Sequence, residues 1–185
     1  MILLSRAQYL HLSGTELQAY KSLRRRDQVP YFARGVVPLT KVSEEEEAAK
    51  GYLPIEAVML ALSNDLCAFG GLDRSLSARI VQGYPNLLIP AIRRAEAGED
   101  VWFAHIVWRE EKCQAEGLDT CDVGTVPEIL KFIDDLKFDD DGYRPRADVY
   151  RITLTSVLRA VNQVRSRAEA SGLHLGPILW EVAKD

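Results

Sequence analysis

From Gly14 to Gly98 the chain is cut at short intervals by Gly14, Pro30, Gly51, Pro54, Gly70, Gly71, Gly83, Pro85 and Gly98. Helix interiors tolerate these residues poorly, Gly by about 1 kcal/mol and Pro by about 3 kcal/mol relative to Ala. This region is therefore restricted to short elements. Pro85, Gly98 and the strand-like run that follows also exclude a long heptad helix after residue 83.

Within those limits, periodicity assigns the elements. Residues 4–32 read as two short helices around Ser13-Gly14, with Thr15 as the expected N-cap of the second and Gln18 three residues later. The segment "ARGVVPLTKVSEEEEAAKGY" mixes β-branched residues, Gly, Pro and four glutamates, and reads as an irregular or hairpin-like connection with an exposed acidic stretch, Glu44 to Glu47. From Pro54, the apolar residues Ile55, Val58, Met59, Leu62 and Leu66 recur at helical spacing up to "FGGL". Asp73 is placed to cap a short helix ending at Gly83, and another helix is expected over roughly Leu87 to Ala97.

The pattern changes at "AGEDVWFAHIVWRE". Val101 to Trp108 look like a strand covered on both faces, with Trp102 and Trp108 on one side and Phe103 and His105 on the other. Thr125-Val126-Pro127-Glu128 matches a capping box opening a helix through Ile129, Ile133 and Leu136. "DVYRITLTS" alternates as a half-buried strand, and Val157, Val161, Val164 and Ala168 mark a helix stopped by Gly172. The expected class is α+β, with a mainly helical region over 1–83 and a small mixed α/β region over 84–185. A chain of 185 residues with 47% hydrophobic content can bury such a core. No apolar run reaches the roughly 18 residues of a membrane span, and the three cysteines suit a reducing compartment, so a soluble cytoplasmic protein without a membrane partner is expected.

The second short helix concentrates cations in a protein whose net charge is −4. Placing Lys21, Arg24, Arg25 and Arg26 toward its C-terminal end complements the helix dipole by about 0.3–1 kcal/mol per charge, which is the structural reading of the cluster. A functional reading comes from the wider count. Ungapped from Leu4 to Pro30, "LSRAQYLHLSGTELQAYKSLRRRDQVP" resembles the helix-turn-helix of the MerR family and its excisionase-like relatives. Leu4, Tyr9 and Leu12 match the apolar positions of the first helix, Gly14 the turn, Leu17 and Tyr20 the packing positions of the second, and Val29-Pro30 its exit. The resemblance continues through "ARGVVPLTKV" as a wing, Gly51-Tyr52 as its end, and the helix pair from Pro54 to Val81.

That resemblance implies a winged helix-turn-helix DNA-binding domain over 1–83 and a regulator of transcription. Its partners would be double-stranded DNA, with a homodimer and RNA polymerase or another regulator left open, and it would require no cofactor. The second helix would enter a major groove. Arg24, Arg25, Arg26, Lys21, Arg34 and Lys41 would mostly neutralise phosphates, whereas Gln18, with Glu16 or Lys21, would reach base edges. Tyr31 would touch a phosphate through its hydroxyl or serve as an aromatic plug under the wing. Because the long heptad helix is missing, the family's coiled-coil dimer interface is not implied here.

Cys113 and Cys121, in "CQAEGLDTC", have a spacing also found in metal-sensing branches of that family; two reduced structural or surface cysteines are the default reading. The three histidines are isolated, and no phosphate-binding loop, nucleophile elbow or HExxH motif occurs, so no catalytic residues and no enzyme are expected. The alternative to DNA binding is an adaptor or inhibitor that keeps the helix-turn-helix shape for contact with another protein, which the acidic insertion and net charge favour.

Overall fold

The computed structural model describes residues 2–32, 38–110, 118–137 and 147–179, in which the short apolar repeats close into an α+β fold. Helices α1 (Arg6–Ser13) and α2 (Leu17–Arg25) are followed by a single 3-10 turn at Leu39–Lys41. Then come α3 (Glu44–Lys50), α4 (Pro54–Ala68), α5 (Arg74–Gly83) and α6 (Pro85–Glu96). The chain continues through β1 (Trp102–Glu110), β2 (Leu118–Gly124), α7 (Val126–Lys137), β3 (Ala147–Ser156) and α8 (Val157–Ala170).

Polar side chains start most of these helices. Ser5 and Gln8 form a capping box on α1, Ser43 and Glu46 form another on α3, Asp73 accepts from the Ser75 and Leu76 amides, and Ser156 accepts from the Arg159 amide. Each satisfies an amide that the helix leaves orphaned, about 1 kcal/mol apiece. Glu128 likewise accepts from the Thr125 amide at 2.7 Å, as the capping box in the sequence predicts. Thr15 is a correction: the residue at the start of α2 is Glu16, which makes no capping bond. Thr15 instead accepts from Asn64 Nδ2 at 3.0 Å, tying the entrance of α2 to α4.

Helix α4 is buried nearly all round, from Pro54 to Ser63, so it is the axis on which the other elements rest. Three strands form an antiparallel sheet in the order β2-β1-β3, with a register shift between Val107 and Trp108. Strand β1 is covered on both faces as expected. Phe103 joins the main core, whereas Ala104 and Ile106 form a second cluster with Ile129 and Ile133 of α7, against which Trp102 and Trp108 pack. Strand β2 was not expected; it lies in the cysteine-containing segment and pairs with β1 from Trp102↔Gly124 to Trp108↔Leu118.

The expected boundary at residue 83 does not divide the core. One buried cluster runs from Leu4 and Leu12 through α4 to Ile92, Val161 and Val164. Helix α8 also closes the turn between α1 and α2: Arg167 Nη1 donates to Leu12 O at 2.9 Å, and His11 Nε2 reaches Arg167 O at 3.3 Å. Gly14 in that turn has φ +69°, the left-handed region that favours glycine, and a Cβ there would have to displace the Arg167 guanidinium, whose Nη2 would lie 2.6 Å away.

A shared core predicts a single cooperative unfolding transition. Far-UV circular dichroism, dominated by α1–α6, and tryptophan fluorescence, which arises only beyond residue 100, should give coincident denaturant midpoints. Val161→Ala, which removes two buried methyl groups, should lower both midpoints together by about 2 kcal/mol of stability; separate transitions would show two independent units.

Candidate nucleic-acid interface

Helix α2 has two sides with different work. Gln18, Ala19, Arg25 and the following Arg26 are exposed, and Lys21 and Ser22 are half-buried. Positions 18, 21, 22 and 25 recur at i, i+3, i+4 and i+7, so these four form one outward stripe with an amide, an ammonium, a hydroxyl and a guanidinium. On the other side, Tyr20 and Arg24 are the two buried residues of the helix.

What they face is Glu47. Its side chain is fully buried, at 0% exposure, and three donors converge on it: the hydroxyls of Tyr20 and Tyr52, both onto Oε1, and Arg24 Nε onto Oε2 at 2.5 Å. Each tyrosine has one hydroxyl proton and directs it to the carboxylate, so the 3.1 Å approach of the two phenol oxygens is a consequence of sharing an acceptor. Tyr52 stacks on Tyr9 of α1 at 4.2 Å between centroids, and Tyr9 meets Tyr20 edge-on at 5.9 Å. Arg24 also donates through Nη2 to the carbonyl of Val42. Helix α2, the segment leading into α3 and the end of α3 are thus fastened around one charge.

The electrostatics follow from that geometry. Burial by itself pushes the Glu47 carboxyl upward, but the bonds from Tyr20, Tyr52 and Arg24 outweigh it and hold the group below the usual carboxylate range. Burial raises the Tyr20 phenol, reinforced by Tyr9 and by its bond to Glu47, so it stays protonated as a donor. The acidic run is therefore corrected: Glu44 to Glu47 is a capped helix, with Glu44, Glu45 and Glu46 exposed and Glu47 inside. Glu44 lies 3.3 Å from Arg6 of α1.

The expected contact residues are thereby sorted. Gln18, Lys21, Arg25 and Arg26 lie on or next to the outward stripe, and Lys41 is exposed in the 3-10 turn. Arg24, expected among the phosphate-neutralising cations, faces inward because the Glu47 carboxylate and the Val42 carbonyl occupy its guanidinium. Tyr31 is buried, at 8% exposure, and most of the wing segment it would plug, residues 33–37, lies outside the described residues. Arg34 and Cys113 lie outside the described residues.

Two cations that the sequence reading did not single out lie near the exposed ones, Arg74 half-buried and Arg79 exposed. Arg26 lines two surface grooves, one shared with Asn64 and Arg74 and the other with Asp73 and Arg79. Arg74 Nη1 is bonded to Asn64 Oδ1 at 2.6 Å, whereas Arg79 is exposed on α5. The available signal was the pair of arginines in the helix that Asp73 caps.

Among the described residues, the remaining polar groups do not assemble a reactive centre. Cys121 is buried on β2 opposite His105, and burial, with Asp119 nearby, pushes its thiol up to about 12, away from the thiolate a soft metal needs. His105 Nε2 lies 3.0 Å from Asp119 Oδ2. Among the described residues no group of three His, Cys, Asp or Glu side chains is arranged around a metal position, and no helix is long and apolar enough to cross a membrane. No protein-family model matches the chain, and no curated protein matches it in sequence.

Removing the Glu47 charge strands the buried Arg24 guanidinium, so Glu47→Gln should cost about 3–5 kcal/mol near neutral pH. Because the folded-state carboxyl is depressed, its stabilisation is present above the ordinary value of about 4.3 and is lost as pH falls through the lower folded value. The gap between wild type and Glu47→Gln in denaturant melts should therefore narrow as pH drops from about 5 toward 3. A gap independent of pH would contradict the charged state of Glu47.

Proposed function

We propose that the protein is a cytoplasmic DNA-binding regulator of transcription that contacts duplex DNA with the outward stripe of α2, and that it acts by binding, without catalysis or a cofactor. The observation that carries this reading is the division of α2: Gln18, Lys21, Ser22 and Arg25 point away from the core, while Tyr20 and Arg24 lock the helix from behind onto Glu47. A rigidly held helix presenting mixed hydrogen-bonding groups suits a major groove. Gln18 pairs with adenine, Lys21 with guanine or phosphate, and Arg25, Arg26 and Lys41 with the backbone. RNA polymerase or another regulator would be met by surfaces away from this stripe.

The alternative is an adaptor or inhibitor for another protein. The exposed Glu44, Glu45 and Glu46, on the helix whose Glu47 is bonded to α2, support it, because they repel the phosphates that α2 would approach.

Fluorescence anisotropy with labelled duplexes separates the two. On the DNA reading, the wild-type affinity falls steeply between 50 and 200 mM salt, the range over which several phosphate contacts are typically worth about 10³-fold or more. The Arg25→Ala/Arg26→Ala double variant should weaken binding to every sequence and reduce the salt slope by about 2. Gln18→Ala should alter preference between sequences by about 1–3 kcal/mol. Arg24 is left intact, since its loss would unfold the support of α2. No duplex binding at low salt, or binding indifferent to Arg25 and Arg26, removes the DNA reading.

A further inference from the structure

Helix α2 carries the outward stripe, yet its own sequence does little to hold its ends. Glu16 at its start makes no capping bond, and an open groove lies between its Ala19 and Ser22 and the Asn64, Asp65 and Ala68 of α4. The Glu47 cluster fixes the rotation of α2 from behind. Its two anchors, Tyr20 and Arg24, are one turn apart, so they do not by themselves set the tilt of a rod about 13 Å long. Two hydrogen bonds supply what is missing, one at each flank of the helix. Before α2, Asn64 Nδ2 donates to Thr15 Oγ1 at 3.0 Å, and Arg74 Nη1 donates to Asn64 Oδ1 at 2.6 Å. A guanidinium only donates, so Asn64 has to turn its carbonyl to Arg74 and its amino group to Thr15. After α2, Gln28 Nε2 donates to Ser75 Oγ at 2.8 Å. Arg74 and Ser75 are consecutive at the start of α5, and Asp73 holds that turn by accepting from the Ser75 and Leu76 amides.

We propose that Asn64, Arg74 and Ser75 are positioning residues for α2: the first turn of α5, reaching through Asn64, brackets the helix at both flanks and sets its tilt, and with it the reach of Gln18 toward a base edge. This rests on the DNA reading of the stripe. Gln18 lies near the Thr15 end of the bracket, and Arg25 and Arg26 lie near the Gln28 end. Reading a base edge requires placement within about 0.5 Å, whereas a cation on a long side chain follows a phosphate through a small change of tilt. The bracket therefore acts on the choice between sequences more than on the affinity common to all of them.

The test uses the full chain and the Asn64→Ala/Ser75→Ala double variant, which breaks both ties and removes no charge. Hydrogen exchange without DNA should show the amides of residues 17–25 opening about tenfold more readily in the variant, as the loss of two hydrogen bonds implies, with those of residues 58–62 in α4 unchanged. In anisotropy measurements on a panel of labelled duplexes, the ratio of affinities between the best and the altered sequence should shrink by about fivefold or more, the low end of what a base contact is worth. The salt slope should not fall, because every cation remains. A merely destabilised protein would instead lose affinity for all sequences in proportion and keep the ratio. Ser75→Thr, which retains the hydroxyl, should match the wild type in both measurements. Unchanged exchange over residues 17–25 would overturn the bracket, and faster exchange with an unchanged affinity ratio would overturn its role in reading. Failure of the DNA reading shows separately, as a wild type that holds no duplex at low salt, and takes the reading role with it whatever the exchange result.

Discussion

The first four helical segments depend on a single charge kept out of water. A carboxylate with no exposed surface is stable only when its oxygens are saturated with donors, and the three that serve Glu47 come from two parts of the chain: Tyr20 and Arg24 from α2, and Tyr52 from the residues after α3. Tyr52 adds its stacking on Tyr9, and its backbone pairs with Leu4 through bonds of 2.8 and 2.9 Å. One acid thereby sets the positions of α1, α2 and α3 relative to each other. It also fixes the rotation of α2 about its own axis, because Arg24 can reach Glu47 only if Gln18, Lys21 and Arg25 turn outward.

A second anchoring scheme holds the sheet. Arg94 of α6 bonds Glu99 at 2.5 and 2.8 Å and Glu128 of α7 at 2.7 Å, so the helix entering the sheet and the helix lying on it share a cation at its rim. The Glu128 carboxyl is pushed down to about 2 by Arg94 and by the Thr125 donors. These groups are substantially exposed, so their pairing orients elements more than it stabilises them. Stability in this region comes from β1, which supplies Phe103 to one cluster and Ala104 and Ile106 to the other.

Local chemistry made much of this fold legible in the sequence. The Asp73 cap, the Thr125–Glu128 bond at the start of α7, the apolar repeat of α4 and the two-sided strand at Val101 to Trp108 each carry their signal within a few residues, and the structure contains each of them. Non-local features were not legible. Strand β2 reads "LDTCDVG", too polar to announce a strand; it becomes one because β1 offers a ladder. Glu47 is the last of four identical letters, and only the positions of Tyr20 and Tyr52 select it for burial. Arg24 did leave a trace, since it follows Tyr20 by four residues and so shares its face, but within three consecutive arginines the charge pattern masked the packing pattern. On the candidate interface, the exposed residues Gln18, Arg25 and Arg26 could be listed from the helical count, while Arg74 and Arg79 enter only through the way α5 folds back beside Arg26.

The seat of Arg167 over Gly14 bears on how such a chain can be reshuffled. The guanidinium from the last turn of α8 occupies the space any side chain at Gly14 would need and also binds the carbonyl of Leu12. A helix pair with an open turn can be excised and grafted, but this one is finished by a residue more than 150 positions downstream. Residues 1–83 are thus no portable cassette. A fusion, truncation or domain exchange that keeps α1 and α2 without α8 would open this turn and leave part of the shared core uncovered.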